Sequence, residues 1–333
     1  MKPISINEKI VSNIAAVTRK LNIRDSFYKR DFLTIDVDRE TKLRGFFFAV
    51  AICHQTHHLK NQLKGIYGWD YLEDGFVRLM RDFPEKLQPE WLVKRSLNEI
   101  SHLLASTFSD SGLPEHTTFD RLEERAFLMK NAATYVQEEF AERFELLLDY
   151  TGSKLLNEGK GVYEFFPDME AFRDPLQKKT LFLLKLLQDA NLFNITDKEH
   201  LMPVMDYHMM RVLLRTGAVE IQDETLKAKL SQHALLDHDQ GIREACAQAM
   251  KMVGEKSGHG VLKMNDFYWP LGRSCCAETT LCHDKVCVKQ PCTFHEVADI
   301  HHHEKCVLQP VCKGAEDAEY RGMWQPVVQT HFY

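Results

Sequence analysis

The chain has 333 residues, a formal net charge of −6, 44% hydrophobic and 27% charged residues, which is an ordinary globular balance with length for two compact domains and a sizeable core. No stretch approaches the roughly 20 apolar residues of a membrane helix, and the opening MKPISINEKIVSN lacks the apolar region of a signal peptide, so a soluble, intracellular, cytoplasmic protein with no membrane partner is expected. The acidic total weighs against a nucleic-acid enzyme, because Lys and Arg supply most non-specific affinity by neutralising phosphate. Arg19, Lys20, Arg24, Lys29 and Arg30 nevertheless cluster near the start, and they read either as a local basic face or as a solvated helix face.

From about residue 5 to 270, apolar residues recur at helical spacing, as in ISHLLASTF, EEFAERFELLLDY and KTLFLLKLLQDA, and this predicts an all-α body. Gly65, Gly68, Pro84, Pro114, Pro167, Pro175, Pro203 and Gly217 fall between those segments, where helix ends are expected. Early in the chain, His54 and His58 stand four apart and are expected on one helix face. Without a nearby carboxylate to complete a metal set, they read with His57 and His208 as pocket or surface histidines more readily than as ligands. Cys53 and Cys246 lie in apolar helical stretches and read as core residues. Trp69-Asp70-Tyr71-Leu72, after Gly68, reads as a packed helix start.

Farther along, Gln177-Lys178-Lys179-Thr180 opens a strongly apolar helix just after Pro175. Lys179 thereby sits in a first turn, near the positive helix end and against an apolar face. Both disfavour its ammonium and make the free amine available as a nucleophile; the alternative is a lysine that snorkels to water. Asp206 follows Pro203 and is placed to cap the next helix. A carboxylate at a cleft mouth also stabilises positive charge developing on a sugar ring, as cleavage of an N-glycosidic bond requires.

The composition changes near Trp269, since seven of the nine cysteines lie within residues 270–333. Too few large apolar residues occur there for an independent core, so a metal or disulfide staple is needed. With no secretory signal, thiolate–metal ligation is favoured over disulfides. The spacings are Cys276-x5-Cys282-x4-Cys287-x4-Cys292, then thirteen residues, then Cys306-x5-Cys312. They match no paired CxxC zinc ribbon and exceed one four-ligand site, so some of these thiols are spectators or two sites exist; an iron–sulfur cluster is favoured over zinc. His301 to His303 read as a solvated loop.

The segments QKKT-LFLLKL and PVMDYHMMRVLLRTG resemble the catalytic helix and the following aspartate segment of helix–hairpin–helix DNA glycosylases, and are most similar to the archaeal 8-oxoguanine glycosylases. The resemblance implies a two-lobed helical body over residues 1–270, with its catalytic cleft between the lobes, and a separate Cys/His-rich metal-binding tail over 271–333. It implies Lys179 as the nucleophile at the anomeric carbon and Asp206 as its assistant. Ala51-Ile52-Cys53-His54-Gln55-Thr56 looks like the family's early helix, whose glutamine serves the base pocket, and this nominates Gln55. Asn265-Asp266-Phe267-Tyr268-Trp269-Pro270 resembles the late helix whose tryptophan stacks on the flipped base, and this nominates Trp269 with Asn265 and Asp266. In the tail, the pair Cys306 and Cys312 is similar to the end of the four-cysteine loop of endonuclease III relatives. That similarity implies a [4Fe-4S] cluster, although the remaining spacings depart from that pattern and leave cluster type and ligand identity open among Cys276, Cys282, Cys287, Cys292, Cys306 and Cys312.

The chain also departs from the family pattern. No glycine-rich LPGVG-like hairpin precedes Lys179, where GSKLLNEGKGVYEFFPDMEAF stands instead. Asn265 takes the place of a base-contacting aspartate, with Asp266 adjacent, and Leu183 replaces an aromatic residue, with Phe182 adjacent. The expected activity is therefore base-excision repair by a glycosylase with β-lyase chemistry, in which a monomer acts on double-stranded DNA carrying an oxidised or otherwise modified purine. Two other readings stand beside it. One is an N-glycosidase of a modified nucleoside or nucleotide, as in queuosine salvage; the other is a non-catalytic, metal-stabilised nucleic-acid binding protein.

Overall fold

The computed structural model describes residues 3–25, 30–288, 292–300 and 304–333. The readings of Lys29 and of His301 to His303 fall outside these residues. The described residues are mostly helical, and the strands among them form two two-stranded sheets, in agreement with the all-α expectation. In chain order its main elements are strand β1 (Ile4–Ile6), α1 (Glu8–Thr18), α2 (Arg39–Ala51), α3 (Trp69–Asp82), α4 (Leu97–Thr107), α5 (Leu122–Phe140) and α6 (Lys178–Asp189). There follow α7 (Tyr207–Thr216), β2 (Val219–Ile221), α8 (Gln240–Ser257) and α9 (Val261–Ser274). Among the described residues no helix is long and apolar enough to cross a membrane.

Contacts divide the chain into two compact units: one holds residues 1–28 with Leu201–Gln329, the other 29–200 with Thr330–Tyr333. The boundary expected at residue 270 falls inside α9, which runs unbroken from Val261 to Ser274. The Cys-rich residues group with α7, α8 and α9 instead of forming a unit of their own.

In the first unit, β1 pairs antiparallel with β2 in the register Ile4↔Ile221 and Ile6↔Val219. Its core is built where α1 packs on α8, and α7 on α8 and α9. Val11, Ile14, Cys246, Met250, Phe267 and Leu271 are fully buried there.

The second unit is built around α2, whose residues Phe46 to Ala51 are all buried. A helix apolar on every side can only be a central one, and α2 packs against α3, α5 and α6. The Phe47 ring lies 4.7 Å from that of Phe144 and 5.0 Å from that of Phe172. The continuous helix expected through EEFAERFELLLDY is broken: Ala141 and Glu142 take φ of 48° and 65°, and a new helix spans Phe144–Tyr150. The cause is distant in sequence. The Glu40 carboxylate of α2 accepts from Phe144 N at 2.7 Å and Glu145 N at 3.2 Å, supplying the acceptor that a new helix N-terminus needs.

Candidate active site

Helix α6 begins without a side-chain N-cap of its own. Instead Asp174 accepts from Leu176 N at 3.1 Å and Lys178 N at 2.9 Å, and Gln177 takes the left-handed conformation, φ 54°. This tight turn after Pro175 drives the first helical turn straight into the interior. Every residue from Lys178 to Leu187 is buried, and Lys179 is 0% exposed. The lysine does not snorkel.

Lys179 Nζ donates to the carbonyl of Ala51 at 2.5 Å. Ala51 is the last residue of α2, whose end carbonyls lack intrahelical partners and carry the negative end of the helix dipole. Arg125 of α5 serves the neighbouring carbonyl of Ile52 in the same way and reaches Asp120 at 2.8 Å. Lys178 Nζ stands 3.6 Å from Cys53 Sγ and 5.3 Å from the centre of the Phe182 ring, which itself meets Trp69 edge-on at 4.7 Å. Among the described residues no carboxylate lies within ion-pair distance of Lys179. Burial is the main force on its ammonium; Lys178 and Arg125 add to it while Cys53 and Glu124 oppose it, and the pKa falls from 10.5 to about 7. Near neutrality a large share of Lys179 is therefore the free, nucleophilic amine.

Beside it, His54 is fully buried and among the described residues neither ring nitrogen has a hydrogen-bond partner. Glu124 of α5 holds a carboxylate oxygen 3.5 Å from His54 Nε2. Burial first, then the charges of Lys179, Arg125 and Arg121, push the His54 pKa well below its ordinary value, so the ring is neutral. The segment Thr330–Tyr333 closes the same region. Gln55 N donates to the Tyr333 carbonyl at 3.0 Å, Arg121 reaches the Thr330 carbonyl at 3.4 Å, and the His331 ring sits 6.4 Å from that of His54.

Two expectations are corrected here. Helix α2 stops at Ala51, so His54 and His58 do not share a helical face; Thr56–His58 is a single 3-10 turn. Gln55 does not lie on the early helix but just beyond it, in the left-handed region at φ 44°. Cys53 is buried at that same helix end, whereas Cys246 lies within α8. Trp69 opens α3 after Gly68, as the sequence suggests.

The remaining candidates belong to the first unit. Asp206 caps α7 as expected, accepting from His208 N at 2.9 Å and Met209 N at 3.2 Å. The His208 ring meets Trp269 of α9 at 6.5 Å and 87°, and the Arg273 guanidinium lies 4.8 Å from the centre of the Trp269 ring. This close approach of α9 to α7 depends on Gly272, because a Cβ there would lie 2.7 Å from the His208 carbonyl. Asn265 and Asp266 are buried on the same helix. Lys179 and Gln55 thus belong to one unit, and Asp206, Asn265, Asp266 and Trp269 to the other.

None of the nine cysteines is in a disulfide among the described residues. In the tail the Cys275 thiol interacts with Cys292, Cys287 and Cys306, and Cys306 in turn with Cys276, Cys282 and Cys312, so the seven tail cysteines form one electrostatically connected set. Arg215 Nη1 stands 3.7 Å from Cys276 Sγ, and Cys312 Sγ lies 3.6 Å from the Arg215 carbonyl. Arg211 donates to the carbonyls of Cys276 at 2.6 Å and Gly272 at 2.8 Å. Among the described residues neither arginine has a carboxylate at ion-pair distance. Burial, opposed chiefly by Cys276, pushes the Arg211 pKa down to about 10. Burial pushes the Cys306 and Cys312 thiols above the ordinary cysteine value, the latter to about 12. Among the described residues no three His, Cys, Asp or Glu side chains stand close enough together to hold a metal ion.

The basic run near the start supplies no uniform stripe. Arg24 pairs with Asp299 at 2.8 Å, and Arg30 with Asp70 at 2.7 Å and Glu73 at 2.5 Å. No protein-family model matches this chain, and no curated protein matches it.

Proposed function

We propose that this protein is an N-glycosidase that uses an amine nucleophile, and within that class a DNA base-excision glycosylase with β-lyase activity. The observation that carries the reading is Lys179, a fully buried amine with no carboxylate partner among the described residues and a pKa near 7. Such a group attacks an electrophilic carbon without a separate base to deprotonate it first. In the proposed reaction Lys179 displaces a flipped modified purine from the anomeric carbon, Asp206 stabilises positive charge on the sugar, and a Schiff base then permits β-elimination. Gln55, Trp269, Asn265 and Asp266 are the proposed base contacts.

The tail is proposed to hold a [4Fe-4S] cluster in preference to zinc. Cys276, Cys282, Cys287, Cys292, Cys306 and Cys312 are the candidate ligands, and because no three such side chains stand close enough together among the described residues to hold a metal ion, cluster binding requires them to draw together. A bound cluster would add a covalent staple to this segment. Anaerobic purification tests it: a broad visible absorption band with stoichiometric iron and sulfide is expected, and colourless protein containing zinc overturns it.

Borohydride trapping tests the activity. Wild type incubated with duplex oligonucleotides bearing single modified purines forms a covalent adduct, and Lys179→Gln forms none; no Lys179-dependent adduct on any duplex sinks the reading. The ion pairing of Arg24 and Arg30, together with the net charge of −6, favours one second reading, an N-glycosidase of a modified nucleotide. A steep loss of duplex affinity with salt argues for DNA, and a flat response argues for the nucleotide.

A further inference from the structure

A lysine that attacks as a neutral amine leaves a second requirement, and the surroundings of Lys179 contain a group able to meet it. His54 is fully buried, three residues beyond the carbonyl that holds Lys179 Nζ, and among the described residues both its ring nitrogens lack hydrogen-bond partners. A buried imidazole with no partner is costly to maintain and calls for a ligand or a transient proton. The charged and titratable groups facing it are Lys179 from α6, Arg121 just before α5, Glu124 and Arg125 from α5, and His331 from the segment Thr330–Tyr333. Glu124 is the sole carboxylate among them; its side chain is 37% exposed and its Oε2 lies 3.5 Å from His54 Nε2.

We infer that His54, oriented and electrostatically backed by Glu124, is the proton-transfer residue of the Lys179 reaction, a role that rests on the reading of Lys179 as nucleophile. Neutral Nζ forms the bond to C1′, and the N-glycosidic electron pair departs with the base, which takes its proton from a water molecule whose hydroxide is released to solvent and offsets the positive charge kept on the lysine nitrogen. The resulting secondary ammonium has no lone pair to open the sugar ring. Its surplus proton passes to the free nitrogen of His54, and the regenerated lone pair forms the C=N bond. The C1′–O4′ pair leaves on O4′, and His54 returns its proton there. The lysine's second hydrogen stays on the iminium nitrogen, so charge and atoms balance. Glu124 offsets the transient imidazolium in a neighbourhood otherwise populated by cations. The depressed pKa of His54 keeps the ring neutral, and hence able to accept, between turnovers.

Single-turnover borohydride trapping on two kinds of duplex oligonucleotide separates this role from a structural one. One kind carries an oxidised or alkylated purine. The other carries an abasic site, whose open-chain aldehyde already has O4′ free. His54→Gln is expected to slow adduct formation by about 100-fold on the base-containing duplex and far less on the abasic one. Glu124→Gln, altered at a part-exposed position, should slow only the first reaction, by roughly 10-fold. Added imidazole should restore much of the rate to His54→Ala, which leaves a cavity of that shape. Equal slowing on both duplexes, or none, overturns the inference while leaving Lys179 in place. A wild type that forms no Lys179 adduct with any base-containing duplex overturns the reading of Lys179 and this inference with it.

Discussion

Replacing Lys179 by Met removes the amine while keeping an unbranched side chain of similar length, and the pH dependence of stability then reports the charge directly. A lysine held near 7 in the folded chain against 10.5 in the open one destabilises the folded state by about 5 kcal/mol when both forms are protonated. The sign follows from the lowered value. Between pH 7 and 10.5 the unfolded chain binds the extra proton, so this contribution makes wild type more stable as pH rises, and the full penalty is present below about pH 7. Lys179→Met lacks that term. It instead leaves the Ala51 carbonyl without its partner, a cost of about 1–3 kcal/mol that does not vary with pH. Urea unfolding of both proteins under reducing conditions, from pH 7 to 9.5, should show the stability of the variant relative to wild type falling by about 3 kcal/mol across that range. The other titrating groups are common to the two chains, and the two histidines that feel the Lys179 charge, His54 and His331, both have lowered pKa values and are neutral across this range. A difference that stays flat to within about 1 kcal/mol means that the amine is not held near neutrality, and the case for a nucleophile at this position fails.

Three further substitutions probe the framework. Asp206→Asn keeps an acceptor for His208 N and Met209 N, so its melting temperature should stay close to wild type while adduct formation falls by about 100-fold; Asp206→Ala should in addition lose about 1 kcal/mol by urea unfolding. An unaltered trapping rate in Asp206→Asn reduces the aspartate to a cap. Gly272→Ala places a Cβ 2.7 Å from the His208 carbonyl and should cost about 1–3 kcal/mol, with a changed Trp269 fluorescence as α9 shifts on α7; an unchanged melting temperature refutes the close-approach argument. Glu40→Ala removes the acceptor at Phe144 N and Glu145 N and should cost about 1 kcal/mol, with faster hydrogen exchange confined to Phe144–Tyr150.

Local signals account for what the sequence made legible, and tertiary ones for what it hid. Helical periodicity predicted the all-α class, and the Pro203-to-Asp206 spacing predicted the α7 cap, because each depends on residues within a turn or two of one another. The break after Phe140 was invisible for the opposite reason: the carboxylate that caps the new helix comes from Glu40, far back in the chain. The same division runs through the candidate site. Two lysines after a proline mark a helix start, but whether the second snorkels or is buried depends on the turn made by Asp174 and on the free end of α2. Gln55 could be nominated by likeness of its segment, yet its left-handed backbone puts it past the helix that likeness implies.

The histidines show the point most sharply. A spacing of four between His54 and His58 suggested a shared helical face, and that geometry disappears once α2 ends at Ala51. Yet ending there is what sends His54 inward, toward Glu124 of α5 and His331 of the Thr330–Tyr333 segment, groups brought near only by the fold. A buried imidazole whose ring nitrogens have no hydrogen-bond partner among the described residues is a tertiary fact with no sequence signature. The end of one helix therefore does two things: its last carbonyl holds the Lys179 amine, and the turn beyond it delivers the imidazole that can take that amine's proton. This makes the position of the α2 terminus, more than the identity of any neighbouring residue, the feature on which the proposed chemistry depends. Extending α2 by one turn, through His54→Ala with Gln55→Ala, should draw the Ala51 carbonyl into the helix, remove an acceptor that favours the ammonium and push the Lys179 pKa further below its ordinary value. Far-UV circular dichroism together with the pH profile of unfolding would register both changes. A longer helix with an unshifted Lys179 titration would show that burial alone, and not the open helix end, sets the state of the amine.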